Sequence, residues 1–427
     1  MNRFYFILLL SFFALASSAS LKKDLAQVKA SLKTGKELDK AERIMNDVLA
    51  KPDNRKEIKT WLLLFDVIKK QYEQGNERLY LQQSADTVTM YNLTKKMCLT
   101  LESIDSVELA NANGDASKLK YRKKHADEFF TYKANLFYGG TYFMSKKMYD
   151  KAYSFFSLYI DCAKMPIFTG YDILNTDSQL PRAAFFSVYC GYKLHKPELA
   201  LRYLPLAQKD KERYEYLLQY LADVYQSQND TDKYMAVLKE GFQDYPTQTY
   251  FYTRLIEHYS KDNNWSSAKT YVDQAMQAMP EHLWLRVAKS TILLNLGDYN
   301  GCISLCDSII AKHKDLPEVY LNAGLAYFNR AVEEEKTART SRDLKKKVAA
   351  SYRGALPYME QYRRMAPNDQ SRWLLPLYTI YLNLNMGKEF EEMDNLMKAA
   401  KFISTAFSTS SSEMSMAIIL LRVMKPN

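Results

Sequence analysis

Residues that form turns are scarce in this sequence. Its 427 residues include only 13 glycines and 12 prolines, which are too few for the many turns of a large all-β chain. No stretch alternates apolar and polar residues in the way that a half-buried strand requires. These absences exclude a large β-sandwich or barrel, and we expect an all-α fold.

The sequence motifs of catalysis are also missing. None of the five histidines belongs to an HExxH pattern, and the sequence has no Walker-type or GxGxxG loop. The adjacent carboxylates of Glu333, Glu334 and Glu335 spread around the surface of a helix and do not form an acid–base pair. We therefore expect that the protein is not an enzyme and uses no cofactor.

Cysteine is rare, and its five positions follow no spacing that is typical of a disulfide framework. The five are Cys98, Cys162, Cys190, Cys302 and Cys306. The last two lie four residues apart on a predicted helix, where small and medium apolar side chains are expected, so we interpret them as buried thiols. A metal site needs two further ligands, and His313 falls outside that helical face. No metal site is predicted.

One pattern is strongly present: five consecutive segments follow one another at a strict spacing of 34 residues. They begin at Pro181, Glu215, Thr249, Leu283 and Pro317. Most of them share a bulky residue at offset 11, a small residue at offset 20 or a proline at offset 32. The bulky residues are Tyr225, Tyr259, Leu293 and Tyr327, the small ones are Ala200, Ala268 and Cys302, and the prolines are Pro246 and Pro280. The period predicts a chain of repeated supersecondary units.

Each unit contains the apolar faces of two helices. In the unit that begins at Thr249, the first helix carries Tyr252, Leu255, Ile256 and Tyr259 on one face. The second helix carries Ala268, Val272 and Ala275, and Pro280 ends it. Because neither helix buries its apolar face alone, we expect the two to pack together, with the small residue at offset 20 where the backbones approach.

This pattern of offsets resembles the tetratricopeptide repeat (TPR). The resemblance implies an all-α, right-handed α-solenoid of helix-turn-helix units, with a concave groove along the first helices of the units. It also implies that the groove binds a protein or peptide. The repeat itself does not identify the partner.

The repeat divides the chain into segments of different regularity. We expect a signal peptide at 1–19, degenerate TPR-like helical repeats at 20–132, one repeat at 133–166, five repeats at 181–369, a degenerate capping pair at 370–403 and an unassigned tail at 404–427. Residues 332–350, an insertion in the fifth unit, contain no glycine or proline and are highly charged. We expect them to lengthen both helices of that unit.

The first residues predict export. Arg3 precedes an apolar run that extends to Leu15, and Ser17 and Ala19 supply small residues at the recognition positions of a signal peptidase. The run is shorter than the ~20 residues of a membrane-spanning helix, although an uncleaved anchor is the alternative. No lipoprotein cysteine and no other transmembrane candidate occur. We expect a periplasmic or secreted protein of Gram-negative type, soluble after cleavage behind Ala19.

Basic residues exceed acidic ones, with a formal net charge of +10. One cluster comprises Lys118, Lys120, Arg122, Lys123 and Lys124. A second cluster, which we name the basic flank, comprises Lys336, Arg339, Arg342, Lys345, Lys346 and Lys347. Solvated helix faces explain both clusters, and contact with an acidic partner or an anionic envelope surface is the alternative. Nucleic acid is not an expected partner, because the chain is predicted to be exported and has no motifs of aromatic side chains that stack on bases.

The TPR resemblance further implies that groove residues lie on the first helices, at offsets such as 2, 5, 9 and 12. We name the resulting set the predicted groove: Arg182, Phe185, Tyr189, Tyr192, Tyr216, Gln219, Asp223, Tyr250, Glu257 and Trp284, with Gln226, Thr253 and Ser260 at the same offsets. Aromatic and amide side chains suit an extended peptide. We expect a scaffold or adaptor in the cell envelope, and the alternative is a glycan- or nutrient-binding protein with embedded TPR helices.

Overall fold

The computed structural model describes residues 20–81, 83, 86–337 and 342–406, and these residues contain helices and turns but no strand. The expected all-α fold is confirmed. The chain divides into two compact units, Met1–Asn229 and Asp230–Asn427. The predicted signal peptide and most of the predicted tail lie outside the described residues.

The first unit is a succession of helices of unequal length. They are α1 (20–34), α2 (Leu38–Leu49), α3 (Pro52–Arg55), α4 (Ile58–Tyr80), α5 (Thr87–Asn111), α6 (Arg122–Phe130), α7 (Ala134–Ser145), α8 (Tyr149–Asp161), α9 (Ile173–Thr176), α10 (Leu180–Lys193), α11 (Pro197–Leu201), α12 (Leu204–Ala207) and α13 (Tyr214–Ser227). Helix α4 packs on α2 and α5, and α8 packs on α7 and α10. Neighbours in the chain are therefore neighbours in space.

Two glycine positions allow close helix contacts in this unit. A Cβ atom on Gly140 would lie 2.6 Å from the ring of Phe156, so its absence lets α8 place that ring on the α7 backbone. A Cβ atom on Gly191 would lie 2.3 Å from the backbone nitrogen of Ala200. Gly191 occupies offset 11, where the other units carry a bulky residue, and its small size brings α10 and α11 into backbone contact.

The second unit follows the 34-residue period most closely. Its helices are α14 (Thr231–Asp244), α15 (Thr249–Lys261), α16 (Trp265–Ala278), α17 (Leu283–Asn295), α18 (Tyr299–Ile310), α19 (Pro317–Thr337), α20 (Arg342–Met365), α21 (Gln370–Asn383) and α22 (Gly387–Ala406). Each helix packs on the next one in the chain, and α19 also contacts α17 and α21. The first helices α17, α19 and α21 thus lie side by side, which is the arrangement of tetratricopeptide-type repeats.

The residues at the expected packing offsets form the core of this unit. Ala268, Val272 and Ala275 are fully buried on α16. Cys302 and Cys306 are buried on α18, which confirms their interpretation as small apolar side chains.

The turn between α15 and α16 and the turn between α17 and α18 are built in the same way. Asn263 and Gly297 at offset 15 have left-handed backbone angles, with φ of 55° and 76°. The next residues, Asn264 and Asp298, cap the second helix by accepting hydrogen bonds from backbone N–H groups at 3.2 and 3.0 Å. This combination starts α16 and α18 immediately after the turn.

The charged insertion belongs to the two longest helices of the second unit. Helices α19 and α20 have 21 and 24 residues, whereas α15 to α18 have 12 to 14. Residues 338–341 lie outside the described residues. The hydroxyl groups of Ser351 and Tyr352 on α20 donate to Glu334 and Glu335 on α19, at 2.9 and 3.2 Å, so the added turns pack against each other.

Candidate functional site

The predicted groove is divided between the two units. Its members on α10 and α13 belong to the first unit, and Tyr250, Glu257 and Trp284 belong to the second. One member does not fit a binding role. Phe185 is only 6% exposed, and its ring packs against Phe186 and Tyr220 with centroids 5.6 and 6.0 Å apart. Its contribution is to the core, so we remove Phe185 from the candidate site.

In the first unit, α10 and α13 bring several aromatic rings together. The ring of Tyr220 lies 5.2 Å from that of Tyr189 and stacks on that of Tyr192 at 5.0 Å. Lys193 places its ammonium group 5.5 and 5.0 Å from the rings of Tyr189 and Tyr192. Burial and the hydroxyl of Tyr149 raise the pKa of Tyr189 to about 12. The Tyr189 hydroxyl therefore stays neutral at physiological pH.

Other members of the predicted groove in this unit are held by contacts within the protein. The hydroxyl of Tyr192 donates to Asp223 at 3.1 Å, and the side-chain amide of Gln219 donates to Glu215 at 3.2 Å. The guanidinium of Arg182 lies over the ring of Phe137, 5.6 Å from its centroid. Tyr216 is largely exposed.

The second unit contains a cleft of about 570 Å³, which we name the second-unit cleft. It is lined by the first helices of three successive units, α15, α17 and α19, with Arg372 added from α21. Glu257, Ser260 and Trp284 of the sequence-derived set lie along it. Tyr250, which belongs to the same set, is not among the lining residues, and its ring contacts the guanidinium of Arg254 at 3.5 Å. The cleft is a concave site on the first-helix side of these repeats.

Several residues of the cleft were missed because the offset rule was not extended beyond Trp284. Offsets 5, 9 and 12 of the unit that begins at Leu283 give Val287, Thr291 and Leu294, and all three line the cleft. The rule does not give Trp265, the first residue of α16, or Asn322 on α19, which also line the cleft. Their positions depend on how neighbouring helices pack.

The floor of the cleft has an oriented amide and a buried hydroxyl. The side-chain nitrogen of Asn322 donates to the hydroxyl oxygens of Ser290 and Thr291 at 3.0 and 2.9 Å, which fixes the direction of its carbonyl oxygen. Ser260 is 6% exposed, and its hydroxyl has no hydrogen-bond partner among the described residues. A buried hydroxyl without a partner costs free energy, so a bound group that reaches Ser260 would recover it.

Apolar walls and charged groups surround this floor. Trp265, Trp284 and Leu325 supply apolar surface, and Trp284 is 38% exposed. Glu257 forms an ion pair of 2.7 Å with Lys261, and Glu333 accepts a hydrogen bond of 2.7 Å from the hydroxyl of Tyr299. Apolar contact surface beside fixed polar groups is the usual composition of a protein-binding site.

Burial of Tyr299 and its hydrogen bond to Glu333 also affect the ionisation of the Tyr299 hydroxyl. Together they raise the pKa of Tyr299 to about 12. The hydroxyl group therefore remains a hydrogen-bond donor at physiological pH.

The basic flank lies in the second unit, near the end of α19 and the start of α20. Lys345, Lys346 and Lys347 are exposed, and a pocket of about 620 Å³ lies beside Lys336 and Lys345. Arg339 lies outside the described residues. In the other basic cluster, Arg122 forms hydrogen bonds of 2.7 and 2.8 Å with a buried aspartate, Asp105. That arginine has a structural role.

The described residues offer neither a membrane-spanning helix nor a cluster of metal ligands. Within the described ranges, no helix is both long enough and apolar enough to cross a membrane. The same part of the chain contains no group of three or more His, Cys, Asp or Glu side chains that could hold a metal ion.

No protein-family model matches the sequence, and no curated protein is significantly similar to it. Several solved structures are similar. The C-terminal part of a TPR repeat-containing protein from Cytophaga hutchinsonii is 13% identical, covering 68% of this chain and 100% of its own, with a TM-score of 0.39. PilW, a type IV pilus biogenesis factor, is 15% identical, with coverages of 52% and 94% and a TM-score of 0.32. At these scores the repeat assignment rests on the spacing and helix pairing of the chain itself.

Proposed function

We propose that this protein is a non-enzymatic scaffold or adaptor, and that it binds an extended segment of a partner protein in the second-unit cleft. The observation that carries the proposal is the lining of the cleft. Three successive first helices contribute to it, together with two tryptophans and the buried hydroxyl of Ser260. Aromatic anchors supply much of the binding energy at protein interfaces, and polar groups on the floor suit a peptide backbone.

We also propose that binding takes place in the cell envelope or outside the cell. The support is the apolar run that follows Arg3 and ends in small residues before Ser20. Such a segment is typical of a secretory signal peptide. An exported adaptor would meet other envelope proteins as partners.

Site-specific photo-crosslinking tests the cleft directly. A photoreactive phenylalanine analogue is placed at Trp284 in the full chain, and the protein is irradiated in an envelope extract of the source cells. The matched control carries the same analogue at Ser304, an exposed residue on α18 that does not line the cleft. We expect a discrete crosslinked protein from position 284 and none from position 304, with identification by mass spectrometry. Equal crosslinking from both positions would contradict the proposed binding site.

A further inference from the structure

Two buried cysteines of the first unit face each other although 64 residues of sequence separate them. Cys98 lies on α5, and Cys162 directly follows the last residue of α8. Their Sγ atoms are 3.6 Å apart, and the two residues are 2% and 0% exposed. The two thiols are therefore in contact inside the core.

We propose that Cys98 and Cys162 form an intramolecular disulfide in an oxidising compartment. The S–S bond is about 2.0 Å long, so the two sulfur atoms must approach by roughly 1.6 Å. Cys162 begins a short 3-10 turn, Cys162–Lys164, that ends in extended backbone at Met165. Because Cys162 lies in this turn, after the end of α8, the proposed bond requires a side-chain rotation and a small shift of the turn, with α5 and α8 kept intact. The bond would join α5 to the end of α8.

The other close pair of cysteines, Cys302 and Cys306, is not expected to form a disulfide. The Sγ atoms of Cys302 and Cys306 are 4.0 Å apart, but both residues lie on α18, one turn from each other. Cβ atoms at this helical spacing are about 5–6 Å apart, whereas a disulfide needs about 3.5–4.5 Å. A bond between them would distort the helix. The thiol of Cys302 also contacts the backbone oxygen of Asn322 at 3.6 Å.

The reaction is a two-electron oxidation by a disulfide compound, for which oxidised glutathione is the reference. One cysteine thiolate attacks glutathione disulfide, forms a mixed disulfide and releases one glutathione thiolate. The second cysteine thiolate then attacks the protein sulfur of the mixed disulfide and releases the other. Two protons pass from the cysteine thiols to the two leaving thiolates. One protein disulfide and two reduced glutathione molecules result.

Burial determines when this reaction takes place. The neighbouring Cys162 side chain and burial raise the pKa of Cys98 well above its ordinary value, and the thiolate is the reactive form. The folded, reduced protein should therefore react slowly. We expect the disulfide to form while the chain folds and then to be protected from reducing agents by the core.

Counting and locating thiols tests the proposal. The full chain is refolded in a glutathione buffer that contains the oxidised form, and thiols are then alkylated under denaturing conditions. We expect three thiols, since two of the five cysteines are joined, and five after reduction. Trypsin without reduction should give one linked pair, peptide 97–118 with peptide 152–164. Five thiols after oxidation, or a bond within peptide 290–312, would overturn the assignment.

A second measurement separates the bond from the packing of the thiols. The thermal midpoint of oxidised protein should exceed that of reduced protein by on the order of 5 °C, because the crosslink restricts the unfolded chain. Cys98→Ala and Cys162→Ala should abolish this redox-dependent difference, even if each also lowers the midpoint of the reduced form. Cys190→Ala, which removes a buried thiol outside the pair, should retain it. An unchanged difference in Cys98→Ala would refute the proposed bond.

Discussion

At the scale of single residues, Ser260 distinguishes binding from stability. Its buried hydroxyl has no partner among the described residues, so Ser260→Ala should leave the free energy of unfolding unchanged or raise it by up to about 1 kcal/mol. The same variant should weaken partner binding roughly 5-fold or more, because a hydrogen bond gained on binding is lost. Urea denaturation and titration measure the two effects.

Ser290 is the matched control for that variant. Its hydroxyl is also buried, but it donates to the backbone oxygen of Val287 at 2.7 Å and accepts from Asn322 at 3.0 Å. Ser290→Ala should lower the free energy of unfolding by about 1–3 kcal/mol, because the Asn322 amide loses a buried acceptor. If Ser260→Ala proved as destabilising as Ser290→Ala, Ser260 would have a structural role and the binding role would be wrong.

A second residue-scale prediction concerns pH. Lys133 is buried and pairs with Asp177, which also accepts a hydrogen bond of 2.7 Å from the hydroxyl of Tyr159. Burial raises the pKa of Asp177, but the hydrogen bonds from Lys133 and Tyr159 outweigh it and hold the pKa below its ordinary value. A lowered pKa adds stability above the unfolded-state pKa, and this stability is lost as pH falls through the folded-state pKa.

Asp177→Asn should therefore lower the free energy of unfolding at neutral pH. We expect a loss of about 2 kcal/mol, less than for a fully buried pair because Asp177 is partly exposed. The difference from the unmodified protein should shrink below about pH 4, near the ordinary aspartate pKa. Asp172→Asn, at an exposed aspartate nearby, should change little at any pH. A pH-independent loss would contradict the assignment to the charge of Asp177.

At the scale of helices, the side chain that caps the start of α18 should contribute to stability. The carboxylate of Asp298 accepts a hydrogen bond of 3.0 Å from the backbone N–H of Gly301 at the start of α18. Asp298→Ala removes this cap and should lower the free energy of unfolding by about 1 kcal/mol. Ser304→Ala, in the exposed middle of the same helix, should cost nothing. Circular dichroism during urea titration compares them, and equal stabilities would refute the capping role.

The helix pairs were predictable from the sequence because their contacts are local and periodic. Ala268 and Cys302 recur at offset 20, and both are fully buried where the pattern places a small packing residue. The first part of the chain was less predictable. Helices α4 and α5 have 23 and 25 residues, longer than those of a regular unit. Long-range side-chain contacts such as Arg122 with Asp105 help to hold this region, and no periodic pattern reports such contacts.

The candidate site was predictable only in part. The offset rule identified one face of each first helix, and Trp284 and Glu257 do line the second-unit cleft. The same rule failed at Phe185, whose face is covered by Tyr220. It also could not supply Trp265, because that residue reaches the cleft from the start of a second helix. Neighbouring helices decide which side chains remain accessible. The sequence pattern of a single helix does not show which of its residues a neighbour covers.

At the scale of the whole molecule, export is tested by the start of the mature chain. If the first segment is a cleaved signal peptide, protein recovered from a periplasmic extract should begin at or near Ser20, as intact mass spectrometry would show. Ala19→Phe should block cleavage, because the peptidase requires a small residue there, whereas Ser18→Phe should be cleaved normally. Recovery of periplasmic protein that retains Met1 would contradict the predicted cleavage.

The last prediction separates the cleft from the basic flank. Trp284 is partly exposed within an apolar wall, and truncating an aromatic anchor of this kind often costs ~2 kcal/mol. Trp284→Ala should therefore weaken binding of the crosslinked partner about 30-fold, at low and at moderate salt alike, through faster dissociation. Exposed lysines at Lys345, Lys346 and Lys347 act over longer distances and are screened by salt.

Changing these three lysines to serine should slow association at low salt and reduce its salt dependence, while most of the affinity at moderate salt remains. Stopped-flow association rates and equilibrium titrations distinguish the two kinds of change, and circular dichroism checks that both variants stay folded. Because the net charge is +10, binding through surface charge is the alternative to binding in the cleft. If Trp284→Ala bound normally and the lysine variant lost all binding, the partner would be held by surface charge and the cleft would not be the binding site.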